Sequence, residues 1–162
     1  MPGTRAPRCL TPKEDMDYWY ECERLISRLP AHARASYEGP VPNEEVGEII
    51  AGHDLFFVPS RGENFGHVFF EALSAGVPVL TSDQTPWRDL QGHGAGWHLP
   101  LQSLGGFVAV FDEVTAWSPE QRADCRRRCL AFADDHVRDN ETVQANRRLF
   151  EQALGLAAEE RG

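Results

Sequence analysis

Two carboxylates, Glu63 and Glu71, stand eight positions apart in the run Pro59-Ser60-Arg61-Gly62-Glu63-Asn64-Phe65-Gly66-His67-Val68-Phe69-Phe70-Glu71-Ala72-Leu73. The run reads as the end of a strand, a polar loop, and a helix that opens at Gly66. A glycine there lets the backbone approach a ligand closely. The first amides of a helix lack intrahelical partners, and with the helix dipole they attract phosphate. A carboxylate has two acceptor oxygens, which suit the adjacent hydroxyls of a ribose or a hexose. His67, Glu71 and Ser74 fall on one polar stripe of the helix. The chemistry of this pattern is that of a phosphorylated, hydroxyl-rich ligand. A glutamate on an amphipathic helix also simply faces water, so spacing alone leaves both readings open.

The elements around this run must hold it in place. The apolar run Leu55–Val58 reads as a strand buried on both faces, the pattern of a parallel sheet. The helix from about Gly66 to Ala75 follows and stops at Gly76. Val77–Leu80 is the next buried strand, Thr81–Trp87 a loop, and Gly92–Gly96 a flexible loop. Trp97–Leu99 forms a last short strand. Helices are expected over Tyr18–Leu29, stopped by Pro30, from an Asn43 N-cap to Gly52, over Leu104–Val114, from Ser118-Pro119 to about His136, and over about 140–155. Ser36–Glu38 reads as a short strand. Strand and helix alternate with short connections, which predicts an α/β fold with a Rossmann-like parallel sheet flanked by helices. In such sheets ligands bind outside the carboxyl ends of the strands, and the loops after Val58 and Leu80 lie at that edge. Residues 1–16 are expected to be irregular and 17–162 to form one ligand-binding domain.

Composition narrows the classes. The 162 residues are the size of one ordinary domain, and 41 % hydrophobic residues are enough for a core. A formal net charge of -9 argues against nucleic acid and anionic membrane surfaces as partners. No apolar run reaches the length of a membrane span. Residues 1–13 hold no block of signal-peptide type, so a cytoplasmic location is expected. Cys125 and Cys129 are four apart and share a helix face; with only His136 remotely placed, they read as core or surface thiols rather than a metal site. Asp15-Met16-Asp17 lies outside the strand-loop setting of a metal-binding Asp-x-Asp. The Gly92-x-Gly94-x-Gly96 spacing is wrong for a dinucleotide fingerprint. Trp87, on the functional edge, could stack on a sugar or pack beneath the loop.

The central segment carries more than spacing. Pro59-Ser60, Glu63, Phe65-Gly66, Glu71, Ala72-Leu73, Ala75-Gly76 and Pro78-Val79 form a Glu-x7-Glu pattern within Pro-Ser-x-x-Glu-x-Phe-Gly, followed by Gly-x-Pro-Val. Tyr37-Glu38-Gly39, Glu44-Glu45-Val46 and Asp54 precede it; Thr81-Ser82-Asp83 and Gly94–Trp97 continue it. In this the chain resembles the carboxyl-terminal, donor-binding domain of retaining glycosyltransferases of family four, the group 1 glycosyl transferases, over roughly residues 17–155.

The resemblance implies a partial GT-B glycosyltransferase, an enzyme of two Rossmann-like domains with the active site between them. By position, Glu71 resembles the residue that binds the ribose hydroxyls of a nucleotide sugar. Glu63 resembles the catalytic-site residue at the sugar hydroxyls near the reacting carbon. The backbone amides of Asn64, Phe65, Gly66 and His67 would hold sugar and diphosphate. Catalysis in such enzymes is mainly electrostatic, with no metal and no cofactor beyond the donor substrate. The family's acceptor domain, its Gly-rich turn and the basic pair that grips the diphosphate have no counterpart in these residues, and Arg61 is not equated with either member of that pair. The expectation is a domain that binds donor but does not transfer sugar alone, with the acceptor half as a separate partner. Two alternatives stand beside it: a non-catalytic nucleotide-sugar-binding or regulatory subunit, and a nucleotide-sugar epimerase on the same architecture.

Overall fold

The computed structural model describes residues 8–9, 15–31, 33–62 and 66–139. Its contacts divide the chain into two compact units, residues 1–53 and 54–162.

In the first unit, β1 (Arg8–Cys9) and β2 (Ser36–Tyr37) pair in parallel, with α1 (Met16–Ile26) between them in sequence. Part of the segment expected to be irregular is therefore a strand. Two residues are too few to leave a period in the sequence. The Asp15 side chain accepts a hydrogen bond from the amide of Tyr18 at 2.9 Å and so caps α1, which gives this carboxylate a structural role. Trp19 of α1 packs on Tyr37 of β2, ring centroids 4.6 Å apart. α2 (Asn43–Ala51) follows. Asn43 is not its cap: the helix starts one residue earlier, with Pro42 at the N-cap and no side-chain cap bond. Gly52 closes it, as expected.

The second unit is a three-layer sandwich. β3 (Phe56–Val58), β4 (Val79–Ser82) and β5 (Gly96–Leu99) form a parallel sheet in the order β3-β4-β5. Successive strand residues point to opposite faces, and the aromatic contacts follow that rule. Phe56 meets Phe69 of α3 (His67–Ser74) edge-on at 6.3 Å. Phe57 meets Phe107 and Phe111 of α4 (Leu104–Ala116) on the other face, at 5.7 and 5.2 Å. α5 (Pro119–Asp139) packs beside α3. The α4 face holds a cluster of Leu80, Phe107, Val110 and Val114, with Trp97, Leu99 and Trp117 against it.

Every residue of β4 is buried, as expected for the central strand. β3 is not: Phe57 is 41 % exposed. An edge strand is covered on one flank only, so an apolar run of this kind overstates its burial. Thr81 and Ser82, expected in the loop, belong to β4, and Gly96 belongs to β5. The remaining Gly92–Gly94 stretch forms a turn. The expected helix at about 140–155 lies outside the described residues.

Candidate functional site

All three strands of the second unit run the same way, so the loops after β3 and β4 leave the same edge of the sheet. Hydroxyls at the strand ends fasten these loops. Thr81 Oγ1 donates to the carbonyl of Val58 at 2.9 Å, and Ser82 Oγ donates to the carbonyl of Ser60. Ser60 Oγ in turn donates to the carbonyl of Gly62 at 2.6 Å. Ser82 Oγ also accepts from the amide of Gln84 at 3.2 Å, and Thr85 Oγ1 donates to the carbonyl of Ser82 at 3.3 Å. Thr81, Ser82 and Thr85 are almost wholly buried, and a buried hydroxyl needs a partner. Their partners are backbone carbonyls at the ends of β3 and β4 and, for Ser82, in the loop after β3. Thr81 and Ser82 belong to the family-like pattern and Thr85 to the expected loop; their fastening role was not read from the sequence, where its signal is a polar pair ending an apolar strand.

Glu63, Asn64 and Phe65 lie outside the described residues. Gly66, which follows them, is the N-cap of α3, with φ 63° and ψ 43° in the left-handed region. Its amide-to-helix geometry is closed at once, because Phe69 N donates to the carbonyl of Gly66 at 2.8 Å. The direction in which a Cβ would project is filled from within the unit. A Cβ at position 66 would lie 2.6 Å from Phe69 Cδ2 and 2.6 Å from Trp87 Nε1. Glycine is thus required here by backbone conformation and by packing, in addition to any ligand.

α3 presents two faces. Phe69, Ala72 and Leu73 are buried, whereas His67, Glu71 and Ser74 are exposed. The expected polar stripe therefore stands on the solvent side, beginning at the helix N-terminus beside the β3 loop. Trp87 does not face solvent. It is 6 % exposed, lies edge-on to Phe69 at 6.1 Å and stacks on His136 at 4.7 Å. Of its two expected roles, packing beneath the loop is the one observed.

Cys125 and Cys129 are buried free thiols. Their Sγ atoms each donate to a backbone carbonyl at 3.7 Å, Cys125 to Gly94 and Cys129 to Ala95. They fasten α5 to the turn before β5. Among the described residues no group of three or more His, Cys, Asp or Glu side chains is placed to hold a metal ion. No described helix is long and apolar enough to cross a membrane.

The family profile described as "Glycosyl transferases group 1" matches residues 16–128. Among curated relatives, an uncharacterized 41.2 kDa protein of the cps region of Klebsiella pneumoniae is 28 % identical over 112 residues, covering 67 % of this chain and 30 % of its own length. The putative teichuronic acid biosynthesis glycosyltransferase TuaC of Bacillus subtilis (strain 168) is 32 % identical over 91 residues, covering 53 % of this chain and 23 % of its own. The Anabaena Alr3699/HepE crystal structure in complex with UDP superposes with a TM-score of 0.66 and 23 % identity, over 96 % of this chain and 42 % of that one. This chain therefore spans less than a third of those curated relatives. The structural likeness carries the fold, a parallel sheet flanked by helices as in one Rossmann-like domain of a GT-B glycosyltransferase.

Proposed function

We propose, because this chain belongs to the glycosyl transferases group 1 family, that its sheet edge between β3 and α3 binds the nucleotide-sugar donor of a retaining sugar transfer. One observation carries the reading most. The left-handed turn at Gly66 starts α3 at the carboxyl end of β3, and Glu71 stands exposed on that helix. The helix N-terminus favours the diphosphate, and the Glu71 carboxylate is suited to accept hydrogen bonds from the ribose hydroxyls.

In this reading the amides of Asn64, Phe65, Gly66 and His67 hold the sugar and diphosphate. Glu63 contacts the sugar hydroxyls near the reacting carbon. The protein's part in the chemistry is electrostatic: oriented amides stabilise the diphosphate as the bond to the sugar breaks. Neither a metal nor a further cofactor is part of the proposal. The acceptor-binding half comes from residues beyond these or from a companion protein, and without it no sugar is transferred. A cytoplasmic setting belongs to the same proposal, and the free thiols Cys22, Cys125 and Cys129 suit a reducing compartment.

Calorimetric titration with UDP, UDP-glucose and the other nucleoside diphosphates tests it. At least one nucleotide should bind the wild type, and Glu71→Ala should weaken that binding by about tenfold or more, a loss of roughly 1.4 kcal/mol. Equal affinity of the two proteins for every nucleotide removes the ribose role of Glu71. No binding by either protein removes the donor-site reading.

A further inference from the structure

We infer that Trp87 is a positioning residue for the start of α3: its indole Nε1 edge holds the left-handed turn at Gly66, and His136 of α5 braces the ring from behind. The inference rests on the donor-site reading above and deepens it.

Three observations converge on this ring. First, the space on the Cβ side of Gly66 is closed by the indole, whose Nε1 lies 2.6 Å from where a Cβ would sit. The other atoms closing that space belong to Phe69, one turn into the same helix. Gly66 is thereby held between the helix it starts and a tryptophan from the loop after β4. Second, Trp87 is packed on several sides. It is edge-on to Phe69 at 6.1 Å, stacked on His136 at 4.7 Å with planes 28° apart, and tilted against Phe132 at 6.4 Å. A ring so enclosed has one place to be, because core side chains sit in close-packed rotamer wells. Third, the loop that carries Trp87 is itself fixed to the β3 loop. Ser82 Oγ bonds the Ser60 carbonyl, and Thr85 Oγ1 bonds the Ser82 carbonyl at 3.3 Å.

The consequence is directional. The peptide plane at Gly66 sets where the first amides of α3 point, and anion binding there depends on that direction. Glycine tolerates many backbone conformations, so its own chemistry does not select φ 63°. Its surroundings must do so, and the hydrogen bond from the Phe69 amide to the Gly66 carbonyl fixes the helix side of the turn. Trp87 supplies that restraint from the far side of the turn, without contact with the donor being part of its role.

Two variants separate positioning from plain packing. Trp87→Leu removes the ring. Trp87→Phe keeps an aromatic ring against Phe69 and His136 but removes the Nε1 edge. The first readout needs no ligand: the backbone amide resonances of Gly66 and His67 in 15N–1H spectra. They should move in both variants, while Trp87→Phe keeps its thermal midpoint within about 5 °C of wild type. The second readout is UDP affinity by calorimetry. Trp87→Phe should lose about tenfold despite its retained fold. Unmoved resonances in Trp87→Phe overturn the inference, as does wild-type affinity for UDP in that variant. Should the wild type bind no nucleotide, the donor-site reading falls, and the resonances still decide whether Trp87 positions Gly66.

Discussion

The hydroxyl of Ser82, the last residue of β4, donates to the carbonyl of Ser60, two residues beyond β3. Ser82 is fully buried. This bond ties together the two loops that leave the carboxyl edge of the sheet. Removing the hydroxyl leaves a carbonyl without its donor, at a cost of about 1–3 kcal/mol. Ser82→Ala should lower unfolding free energy by that amount in urea titration. A loss below about 0.5 kcal/mol would show that water replaces the hydroxyl and that the tie is dispensable.

Gly66 is constrained twice, by φ 63° and by Phe69 and Trp87 at 2.6 Å from a Cβ. The left-handed conformation costs an L-residue about 1–2 kcal/mol, and overpacking adds about 1–3 kcal/mol. Gly66→Ala should therefore destabilise by roughly 2–5 kcal/mol. Chemical denaturation with an unchanged m-value is the check. Alanine accepted without loss would mean that the turn relaxes freely, against the packing described for Trp87.

Glu63 and Glu71 should separate in function. In an enzyme reconstituted with its acceptor half, Glu63→Gln should cut sugar transfer by about 100-fold or more while nucleoside diphosphate affinity stays near wild type. Glu71→Ala should do the reverse at its primary level, weakening nucleotide binding. Since Glu71 is exposed, its loss should change stability by less than about 0.5 kcal/mol. Steady-state rates beside calorimetry on both variants make the comparison. Parallel losses of affinity in both would assign the two carboxylates one shared role.

The thiols of α5 should titrate apart. The neighbouring Cys129 side chain lowers Cys125 below its ordinary value, helped by the Arg128 guanidinium and opposed by burial. The same pairing, with burial, pushes Cys129 up. The thiolate is the reactive form, so Cys125 should be alkylated at lower pH than an ordinary thiol of about 8.5. Cys129, wholly buried, should resist until unfolding. In Cys129→Ala the pH profile of Cys125 alkylation should move upward. Mass spectrometry of iodoacetamide-treated protein reads both. Equal rates at the two cysteines, or an unmoved profile in the variant, would count against the pairing.

The site was legible in the sequence as far as local rules reach. Gly66 before a run of Val68, Phe69, Phe70, Ala72 and Leu73 marks a helix start, and the spacing of His67, Glu71 and Ser74 marks its solvent face. Both stand in the structure. The three strands of the second unit were legible in kind, as Leu55–Val58, Val77–Leu80 and Trp97–Leu99, because short apolar runs between turn residues have few other uses; their true bounds, Phe56–Val58, Val79–Ser82 and Gly96–Leu99, take in Thr81, Ser82 and Gly96 from the expected loops. Pro42 capping α2 and the strand at Arg8–Cys9 were not, because one residue of offset and two residues of strand leave no periodic trace.

By itself the sequence determined the family, the parallel α/β order and the polar stripe of α3, since each depends on residues within one turn or one motif. Tertiary structure alone decided which neighbours enforce the pattern. Phe57 is partly exposed because its strand is at the sheet edge. Trp87 is a buried brace because His136, far along the chain, folds back onto its face. Ser60 and Ser82 form one fastening because parallel pairing brings two separate strand ends side by side. Contacts between distant residues are set by how whole elements pack, and no local spacing records them.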